Sequence, residues 1–291
     1  MGKDLYDRFQ EAQDLFNQAN KILGFDLARL CFQGPEEELK QTRVTQPAIF
    51  VHSAILTHLL NKKNFKPDMA AGHSLGEYSA LNAAAALTFE DALQLVKIRA
   101  ELMQKAGEIN PGTMAAILGL DIDTLQKVCE QASAAGMVQI ANYNSPGQLV
   151  ISGSVAGVNR AMQLAKASGA KRAIQLVVSG AFHSPLMEFA AEGLGKALNE
   201  IEIKTARIPV YTNVDARPVT RPEDIRQKLH QQLTSPVRWA EIVETMIKDG
   251  GAKFYEVGPG NVLTGLSKRI DSAVACTTIN NLESLESNRL V

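Results

Sequence analysis

The chain has 291 residues, of which 45% are hydrophobic and 21% charged, and its formal net charge is −1. This profile is typical of a soluble globular protein with one large domain or two smaller ones, and the near-zero charge argues against a nucleic-acid-binding protein. No apolar run approaches the roughly 20 residues that a membrane-spanning helix needs, and the polar N-terminus is unlike a signal peptide, so we expect a cytoplasmic protein.

Helices are predicted for most of the first part of the chain. Apolar side chains recur three and four residues apart over residues 4–22 and 46–61, a spacing that predicts two helices. Pro47 is expected in the first turn of the second helix, where proline is tolerated. A third helix is predicted over residues 89–106, beginning after the capping residue Thr88 and ending before the sequence "NPG".

Between the second and third of these helices, the sequence predicts a strand, a tight turn and a helix around Ser74. The apolar residues 69–71 predict the strand, and "EYSALNAAAAL" predicts the helix. In "GHSLG", Ser74 has a glycine two residues away on each side, the G-x-S-x-G pattern of a nucleophile on a sharp strand-to-helix turn. Glycine permits the close backbone approach of such a turn, and the Leu75 amide is expected to face a developing oxyanion. An incidental turn is the alternative, because the pattern is common by chance.

The segment from Thr113 to Ser179 is predicted to fold in the order β-α-β-β-α-β, which is that of the ferredoxin-like motif. The four strands are "TMAAILGL", "VQIANYN", "QLVISGS" and "KRAIQLVVS", with a hairpin turn at "SPG". We expect residues 112–179 to form a small subdomain that is inserted into a large domain made of residues 1–111 and 180–291.

After the insertion, helices and strands alternate again. Helices are predicted over residues 185–200, 222–233 and 239–249 and from Val262 onward, and strands at "IPVYTNV" and "KFYEVG". This alternation predicts an α/β fold with an open, mainly parallel sheet flanked by helices. The glycines of "EVGPGNVLTG" fit neither a phosphate loop nor a dinucleotide-binding fingerprint, so we expect a structural turn there.

A serine nucleophile needs a base, and two histidines are candidates. His73 is adjacent to Ser74, and on a sharp turn its side chain is expected to point away from the serine. His183 lies in a loop after the last strand of the insertion and is the better candidate, with a purely structural role as the alternative. No Asp or Glu occurs in the four residues before His183, so a main-chain carbonyl is the expected partner of its ring.

Arg99 is predicted to lie on an apolar face of its helix. Its neighbours three and four residues away are Leu95, Val96, Leu102 and Met103. A guanidinium in such a setting costs free energy unless an anion meets it. Two alternatives stay open here: an internal salt bridge, and a fork that binds a substrate carboxylate through two parallel hydrogen bonds.

Cysteine and histidine spacing gives no indication of a disulfide framework or a metal site. Cys31, Cys129 and Cys276 are widely separated and form no C-x-x-C pair. The five histidines form no H-x-x-x-H pair. We therefore expect neither a metal nor a cofactor.

Several segments together resemble one family. They are "GHSLGEYSAL", "NYNSPGQLVISG", "AFHSPLM", "LTSPVRW" and "YEVGPGNVLTGL", which occur in order through nearly the whole chain. In these segments the chain is similar to the malonyl-CoA:acyl-carrier-protein transacylases, the acyltransferases of fatty-acid and polyketide synthesis. The resemblance implies a hydrolase-like α/β domain with an inserted ferredoxin-like subdomain.

The resemblance also implies a ping-pong mechanism and a role for each site residue. Ser74 would attack the malonyl thioester, and His183 would act as base and then as acid. Arg99 would bind the free malonyl carboxylate, Leu75 would donate its amide to the oxyanion, and Gln232 would lie in the active site. The phenylalanine before His183 resembles the malonyl-type form of that motif and not the methylmalonyl-type form.

The implied partners are malonyl-CoA and an acyl carrier protein. The carrier protein is expected to be acidic, so its docking should weaken as salt concentration rises. We expect a monomer that binds neither nucleic acid nor a membrane.

The resemblance is incomplete at the N-terminus. Family members normally begin with a hydrophobic strand and a G-Q-G-S-Q turn, whose glutamine amide is a second oxyanion donor, and this sequence begins beyond that point at "MGKDLYDRF". Loss of one oxyanion donor typically lowers the rate about 100-fold to 1000-fold, so we expect an incomplete or impaired enzyme. A serine hydrolase of esters or thioesters, and an inactive relative that only docks a carrier protein, remain alternatives.

Overall fold

The computed structural model of the chain describes residues 1–287. The helices before the first strand are α1 (Lys3–Arg8), α2 (Gln10–Leu23), α3 (Leu27–Gln33), α4 (Glu36–Leu39) and α5 (Thr42–Lys62). They are followed by β1 (Ala70–Ala71), α6 (Gly76–Ala83) and α7 (Phe89–Ile109). Although α5 and α7 are long, no helix among these residues is both long and apolar enough to cross a membrane.

The predicted helix over residues 4–22 is two helices, α1 and α2. They are separated at Phe9, whose φ of −122° and ψ of 127° are extended. The apolar spacing continues across the break because Phe9 packs against the same core as Leu5 and Phe16. Periodicity alone therefore does not reveal where the helix is interrupted.

Helix α5 begins at Thr42, a turn before the predicted start, so the placement of Pro47 in the first turn is wrong. Pro47 lies inside the helix. A proline there removes one helical hydrogen bond, at a cost of about 3 kcal/mol or more in an isolated helix interior. Packing of α5 against α2, α3, α6 and α7 buries most of its surface and offsets that loss.

Helix α7 begins as predicted and ends three residues later than predicted. The Thr88 hydroxyl accepts a hydrogen bond from the Asp91 amide at 3.1 Å, which confirms Thr88 as the N-terminal cap. The helix continues to Ile109, and its inner face carries the buried Leu95, Val96 and Arg99.

Residues 112–175 form a small antiparallel sheet covered by two helices. The elements are β2 (Gly112–Leu118), α8 (Ile122–Ala132), β3 (Val138–Ser145), β4 (Gln148–Ser154), α9 (Val155–Ala167) and β5 (Arg172–Gln175). The strands lie in the order β3-β4-β2-β5, and each neighbouring pair is antiparallel. A hydrophobic cluster of its own, including Ile117, Leu125, Ile151 and Val158, fills the space between sheet and helices. The last strand ends at Gln175, four residues before the predicted end.

The rest of the chain returns to the first helices. It contains a 3₁₀ turn (Pro185–Met187), α10 (Glu188–Glu200), β6 (Val210–Tyr211), β7 (Pro218–Val219), α11 (Pro222–Gln232), α12 (Trp239–Lys248), β8 (Lys253–Val257), α13 (Val262–Ile270), β9 (Ala275–Ile279) and α14 (Leu282–Ser287). Strands β7 and β9 and helix α14 were not predicted, and only two residues of the predicted strand "IPVYTNV" form a strand, β6.

The strands of this larger part form two short sheets and not the single open sheet that was predicted. One has the order β1-β6-β7, with β1 and β6 parallel, and the other pairs β8 with β9 in parallel. The parallel pairing agrees with the prediction. Strand β1 is at the edge of its sheet, and its only two ladder residues before the Ser74 turn pair with β6.

His52 on α5 is a buried histidine that the fold keeps neutral. It is 3% exposed, its Nε2 donates to the main-chain oxygen of Asn280 at 3.0 Å, and its Nδ1 has no hydrogen-bond partner in the described residues. Burial lowers the pKa of His52 below that of the unfolded chain, which is about 6.5. The unfolded state therefore binds the proton first, and the contribution to stability is complete above about pH 6.5 and lost as the pH falls through the folded pKa.

We expect His52→Gln to weaken the dependence of stability on pH below about 6.5. Because the glutamine cannot take up a proton, the slope of the unfolding free energy against pH should decrease by up to about 1.4 kcal/mol per pH unit. Urea denaturation at several pH values between 5 and 7 measures this slope. The control is His58→Gln, an exposed position on the same helix, which should keep the wild-type slope. Equal slopes for the two variants would contradict the prediction.

Candidate active site

Ser74 lies on a sharp turn between β1 and α6. Its φ of 52° is in the left-handed region, which costs about 1–3 kcal/mol for a residue with a side chain. A Cβ on Gly72 would lie 1.9 Å from the carbonyl carbon and oxygen of Gly76, so the turn requires glycine at position 72. A Cβ on Gly76 would meet no atom within 4 Å, so the prediction that the turn requires glycine holds for position 72 and not for position 76.

The Ser74 hydroxyl is hydrogen-bonded to His183. The distance from Oγ to Nε2 is 2.7 Å. On the other side of the ring, Nδ1 lies 3.0 Å from the main-chain oxygen of Gln232 and 3.2 Å from that of Ser235. Two carbonyl acceptors require the proton on Nδ1, which leaves Nε2 free to accept from the serine. The prediction that a main-chain carbonyl orients this histidine is confirmed.

His183 is held in the neutral form. Its side chain is 3% exposed, and its own φ of 57° is also left-handed. Burial and, to a smaller extent, the nearby positive charge of Arg99 lower the pKa of His183 to about 3, against the opposing effect of the two carbonyl bonds. A neutral ring with an unprotonated Nε2 is the form that a general base needs.

His73 points away from the serine hydroxyl, as expected. Its Nε2 lies 2.9 Å from Oδ1 of Asn144 on β3, and its ring lies 5.7 Å from the Trp239 ring. Burial lowers the pKa of this histidine as well. His73 therefore connects the serine turn to the small sheet and is not placed to act as the base.

Arg99 is a buried cation surrounded by neutral acceptors. It is 1% exposed, and its NH1 group donates to Oε1 of Gln46 at 2.6 Å. Its NH2 group donates to Ser74 Oγ and to Oε1 of Gln232, both at 3.0 Å, and the guanidinium lies 5.7 Å from the Tyr78 ring centre. No Asp or Glu within residues 1–287 forms an ion pair with it. The internal salt bridge, one of the two alternatives for Arg99, is therefore not formed.

Gln232 connects the other site residues through both its main chain and its side chain. It is fully buried, and its Nε2 donates to the main-chain oxygen of Ser74 at 3.0 Å and to Glu77 Oε2 at 2.8 Å. Its side-chain oxygen accepts from Arg99 and its main-chain oxygen from His183. The three side-chain contacts fix the orientation of the amide, since its nitrogen donates to Glu77 and its oxygen accepts from Arg99.

The amide of Leu75 is the free donor nearest to the serine. Among the described residues it donates to no main-chain or side-chain acceptor, whereas the amides of Gly76 and Glu77 both bond back into the turn. It points from the N-terminal end of α6, where the helix dipole also favours negative charge.

Two further residues hold the turn and were missed from the sequence. Asn213 bonds the Ser74 amide through Oδ1 at 2.6 Å and the Gly72 carbonyl through Nδ2 at 2.7 Å. Glu77 accepts from the Asn213 amide and from Gln232, while burial raises the pKa of its carboxyl to about 7. The available signal for Asn213 is its position two residues after β6, since polar residues at the carboxyl ends of parallel strands often converge on a site.

The glycine-rich loop after β8 is a structural turn, as expected. Gly258 and Gly260 have φ values of 147° and 86°. The carboxylate of Glu256 accepts from the amides of Leu263 and Thr264, at 3.0 and 2.7 Å, and so occupies the N-terminus of α13. Within residues 1–287, no three His, Cys, Asp or Glu side chains converge in a manner suited to a metal ion.

Comparison with known sequences gives a consistent result over nearly the whole chain. The sequence model of the acyl transferase domain matches residues 1–285. Malonyl CoA-acyl carrier protein transacylase of Bacillus subtilis (strain 168) is 45% identical over 287 residues, which are 98% of this chain and 90% of the relative. The protein of the same name from Haemophilus influenzae is 46% identical, with 97% of this chain and 91% of the relative covered.

Solved structures show the same similarity in three dimensions. An acyl carrier protein S-malonyltransferase from Vibrio cholerae superposes with a TM-score of 0.95 at 43% identity, covering 99% of this chain and 94% of that one. A malonyl-transacylase in complex with its type II PKS acyl-carrier protein superposes with a TM-score of 0.95 at 42% identity, covering 98% and 93%.

We expect Gly72→Ala to destabilise the protein and Gly76→Ala to leave its stability close to that of the wild type. The alanine Cβ at position 72 has no space beside the Gly76 carbonyl, and such overpacking typically costs about 1–3 kcal/mol. The alanine at position 76 meets nothing and replaces a glycine in the first helical turn, a change of less than about 1 kcal/mol. Chemical denaturation of both variants provides the test, and equal stability of the two would contradict the steric argument.

Proposed function

Because the chain belongs to the acyl transferase domain family, we propose that it transfers a malonyl group from malonyl-CoA to the phosphopantetheine thiol of an acyl carrier protein. The relatives bear the name of this activity, and one of them has been solved with an acyl-carrier protein. The observation in this chain that supports the proposal most directly is the environment of Arg99. It is a buried guanidinium without a carboxylate partner, 3.0 Å from a serine hydroxyl that is itself 2.7 Å from a neutral histidine.

In the first half of the reaction, Ser74 Oγ attacks the thioester carbonyl carbon of malonyl-CoA. His183 Nε2 takes the hydroxyl proton, the carbon–sulfur bond breaks, and the proton passes to the departing thiolate of CoA. The Leu75 amide donates to the carbonyl oxygen as negative charge develops on it. The product is a malonyl ester of Ser74.

In the second half, the same groups act in the opposite sense. His183 accepts the proton of the carrier protein's pantetheine thiol, and the thiolate attacks the ester carbonyl. The proton then returns to Ser74 Oγ as the ester bond breaks. Every proton and acyl acceptor comes from the protein or from the two thiol substrates, so the proposed reaction uses no metal or cofactor.

Arg99 gives the proposed site its preference for a malonyl group. The acyl carboxylate supplies the anion that the guanidinium lacks, in a geometry that allows two parallel hydrogen bonds. An uncharged acyl group offers no such anion and leaves the buried cation dependent on neutral acceptors. Phe182 precedes His183 and packs half-buried against the cluster of Met114, Ala141 and Val150. Its resemblance to the malonyl-type form of the motif supports the same choice of substrate.

We propose that residues 112–179 are a ferredoxin-like subdomain within a hydrolase-like large domain of residues 1–111 and 180–291. The strand order β3-β4-β2-β5 with antiparallel neighbours supports the first assignment. The strand, serine turn and helix at the carboxyl end of a parallel pair support the second. The separate hydrophobic cluster of the small sheet supports the division.

We expect brief mixing with malonyl-CoA to add one malonyl group to the wild-type chain and none to Ser74→Ala. The ester forms only if Ser74 is the nucleophile, and intact-protein mass spectrometry detects it directly. Decay of the ester should accelerate when a carrier-protein thiol is added. Rapid decay without any thiol would favour the hydrolase alternative, and absence of the ester in a folded sample would favour a protein that only docks a carrier.

We expect Arg99→Ala to lower kcat/KM for malonyl-CoA by about 100-fold to 1000-fold, because hydrogen bonds to a charged group contribute about 1.5–3 kcal/mol each. The loss for acetyl-CoA, which has no free carboxylate, should be much smaller. Steady-state transfer with both donors measures the ratio. Arg160→Ala, an exposed arginine on α9, is the control and should leave both values unchanged. A variant at position 99 that kept the malonyl preference would contradict the proposed role.

A further inference from the structure

The side chain of Asn213 contacts the serine turn at two main-chain groups, one on each side of His73. Its Oδ1 accepts from the Ser74 amide at 2.6 Å, and its Nδ2 donates to the Gly72 carbonyl at 2.7 Å. The side chain is fully buried. A single planar amide supplies both the acceptor and the donor, which neither a carboxylate nor an apolar side chain can do.

Sheet register brings Asn213 to this position. Strands β1 and β6 are parallel with Ala71 opposite Tyr211, so residue 213 lies beside the turn that follows β1. Asn213 is itself fixed by its main chain, since its amide donates to Glu77 Oε2 at 3.1 Å and its carbonyl accepts from the Arg238 amide at 3.1 Å. The two bonds to the turn therefore originate from a rigid loop.

The turn needs an external partner because its own main chain cannot satisfy these groups. Ser74 has left-handed backbone geometry between the last residue of β1 and the first of α6. Its amide donates to no main-chain acceptor among the described residues. Leaving a buried amide unpaired is costly, and a left-handed conformation persists only where its surroundings enforce it.

We propose that Asn213 is a positioning residue that holds Ser74 in the conformation in which its hydroxyl meets His183. Asn213 binds the main-chain amide of Ser74, and Gln232 binds the main-chain carbonyl of the same residue. Asn213 makes no hydrogen bond to the serine hydroxyl, so it acts through Ser74 alone. This inference rests on the proposed role of Ser74 as nucleophile.

The test compares Asn213→Ala and Asn213→Asp with Thr212→Val in the full chain. Thr212 is buried in the same loop, and its hydroxyl donates to Asp215 and not to the turn, so its loss is a matched control. The probe is a fluorophosphonate, which phosphonylates the serine oxygen: the oxygen–phosphorus bond forms, fluoride leaves, and His183 takes the hydroxyl proton. This reaction needs no acyl recognition. Rate constants are scaled to the folded fraction measured by denaturation.

We expect both Asn213 variants to react about 10-fold to 100-fold more slowly than the wild type, because small misplacements of a reacting group cost about that much. Thr212→Val should react at the wild-type rate. The kcat for malonyl transfer should fall with the labelling rate, while KM for malonyl-CoA changes little, because Asn213 does not contact the carboxylate site.

The Asp variant adds a readout that a merely structural role would not move. When the introduced carboxyl is ionised, it has only acceptors to offer to the Gly72 carbonyl, which needs a donor. Protonation restores a donor. The labelling rate of this variant relative to the wild type should therefore rise as the pH falls. Wild-type rates per folded molecule in both Asn213 variants would overturn the proposal. Absence of labelling at Ser74 in the wild-type chain would instead contradict the nucleophile on which the proposal rests.

Discussion

The site depends on one positive charge that is buried without a negative partner. A buried guanidinium is tolerable only when oxygen acceptors replace the water it has lost. Those acceptors come from α5, from the serine turn and from α11, as the side chains of Gln46, Ser74 and Gln232. Three segments that are distant in sequence therefore meet at one charge on α7. None of these acceptors is ionised, and the buried Glu77 carboxyl attracts the guanidinium electrostatically without forming an ion pair with it.

The residues around this charge come from chain segments before and after the small sheet. Ser74 and Arg99 precede the small sheet in the sequence, whereas His183 and Gln232 follow it. The small sheet also contributes directly, because Gln139 on β3 donates to the main-chain oxygen of His183 at 3.0 Å. The main chain of β3 also pairs with the segment around residue 237, next to the carbonyls that hold the histidine ring. The orientation of the base is thus fixed by contacts from both parts of the large fold and from the small sheet.

The sequence predicts those features that local spacing determines. The G-x-S-x-G turn, the Thr88 cap and the order of elements in the small sheet depend on residues close together, and each is recognisable without a structure. The break at Phe9 and the early start of α5 are not recognisable from the sequence. Core packing continues the apolar spacing across the break, and it allows Pro47 to lie inside a helix. The two-residue strand β6 and the parallel register that brings Asn213 beside the turn arise from long-range pairing. Likewise, only the folded chain could distinguish an Arg99 salt bridge from an unpaired cation.

Substrate choice and proton transfer are coupled through the same cation. Burial and the charge of Arg99 together lower the pKa of His183, which keeps Nε2 unprotonated but makes it a weak base. A carboxylate that pairs with Arg99 would cancel part of that field and so would raise the basicity of His183. It also competes with Ser74 Oγ for the NH2 group and so frees the hydroxyl for attack. An acyl group without a carboxylate does neither, so part of the discrimination is expressed in the chemical step and not in binding alone.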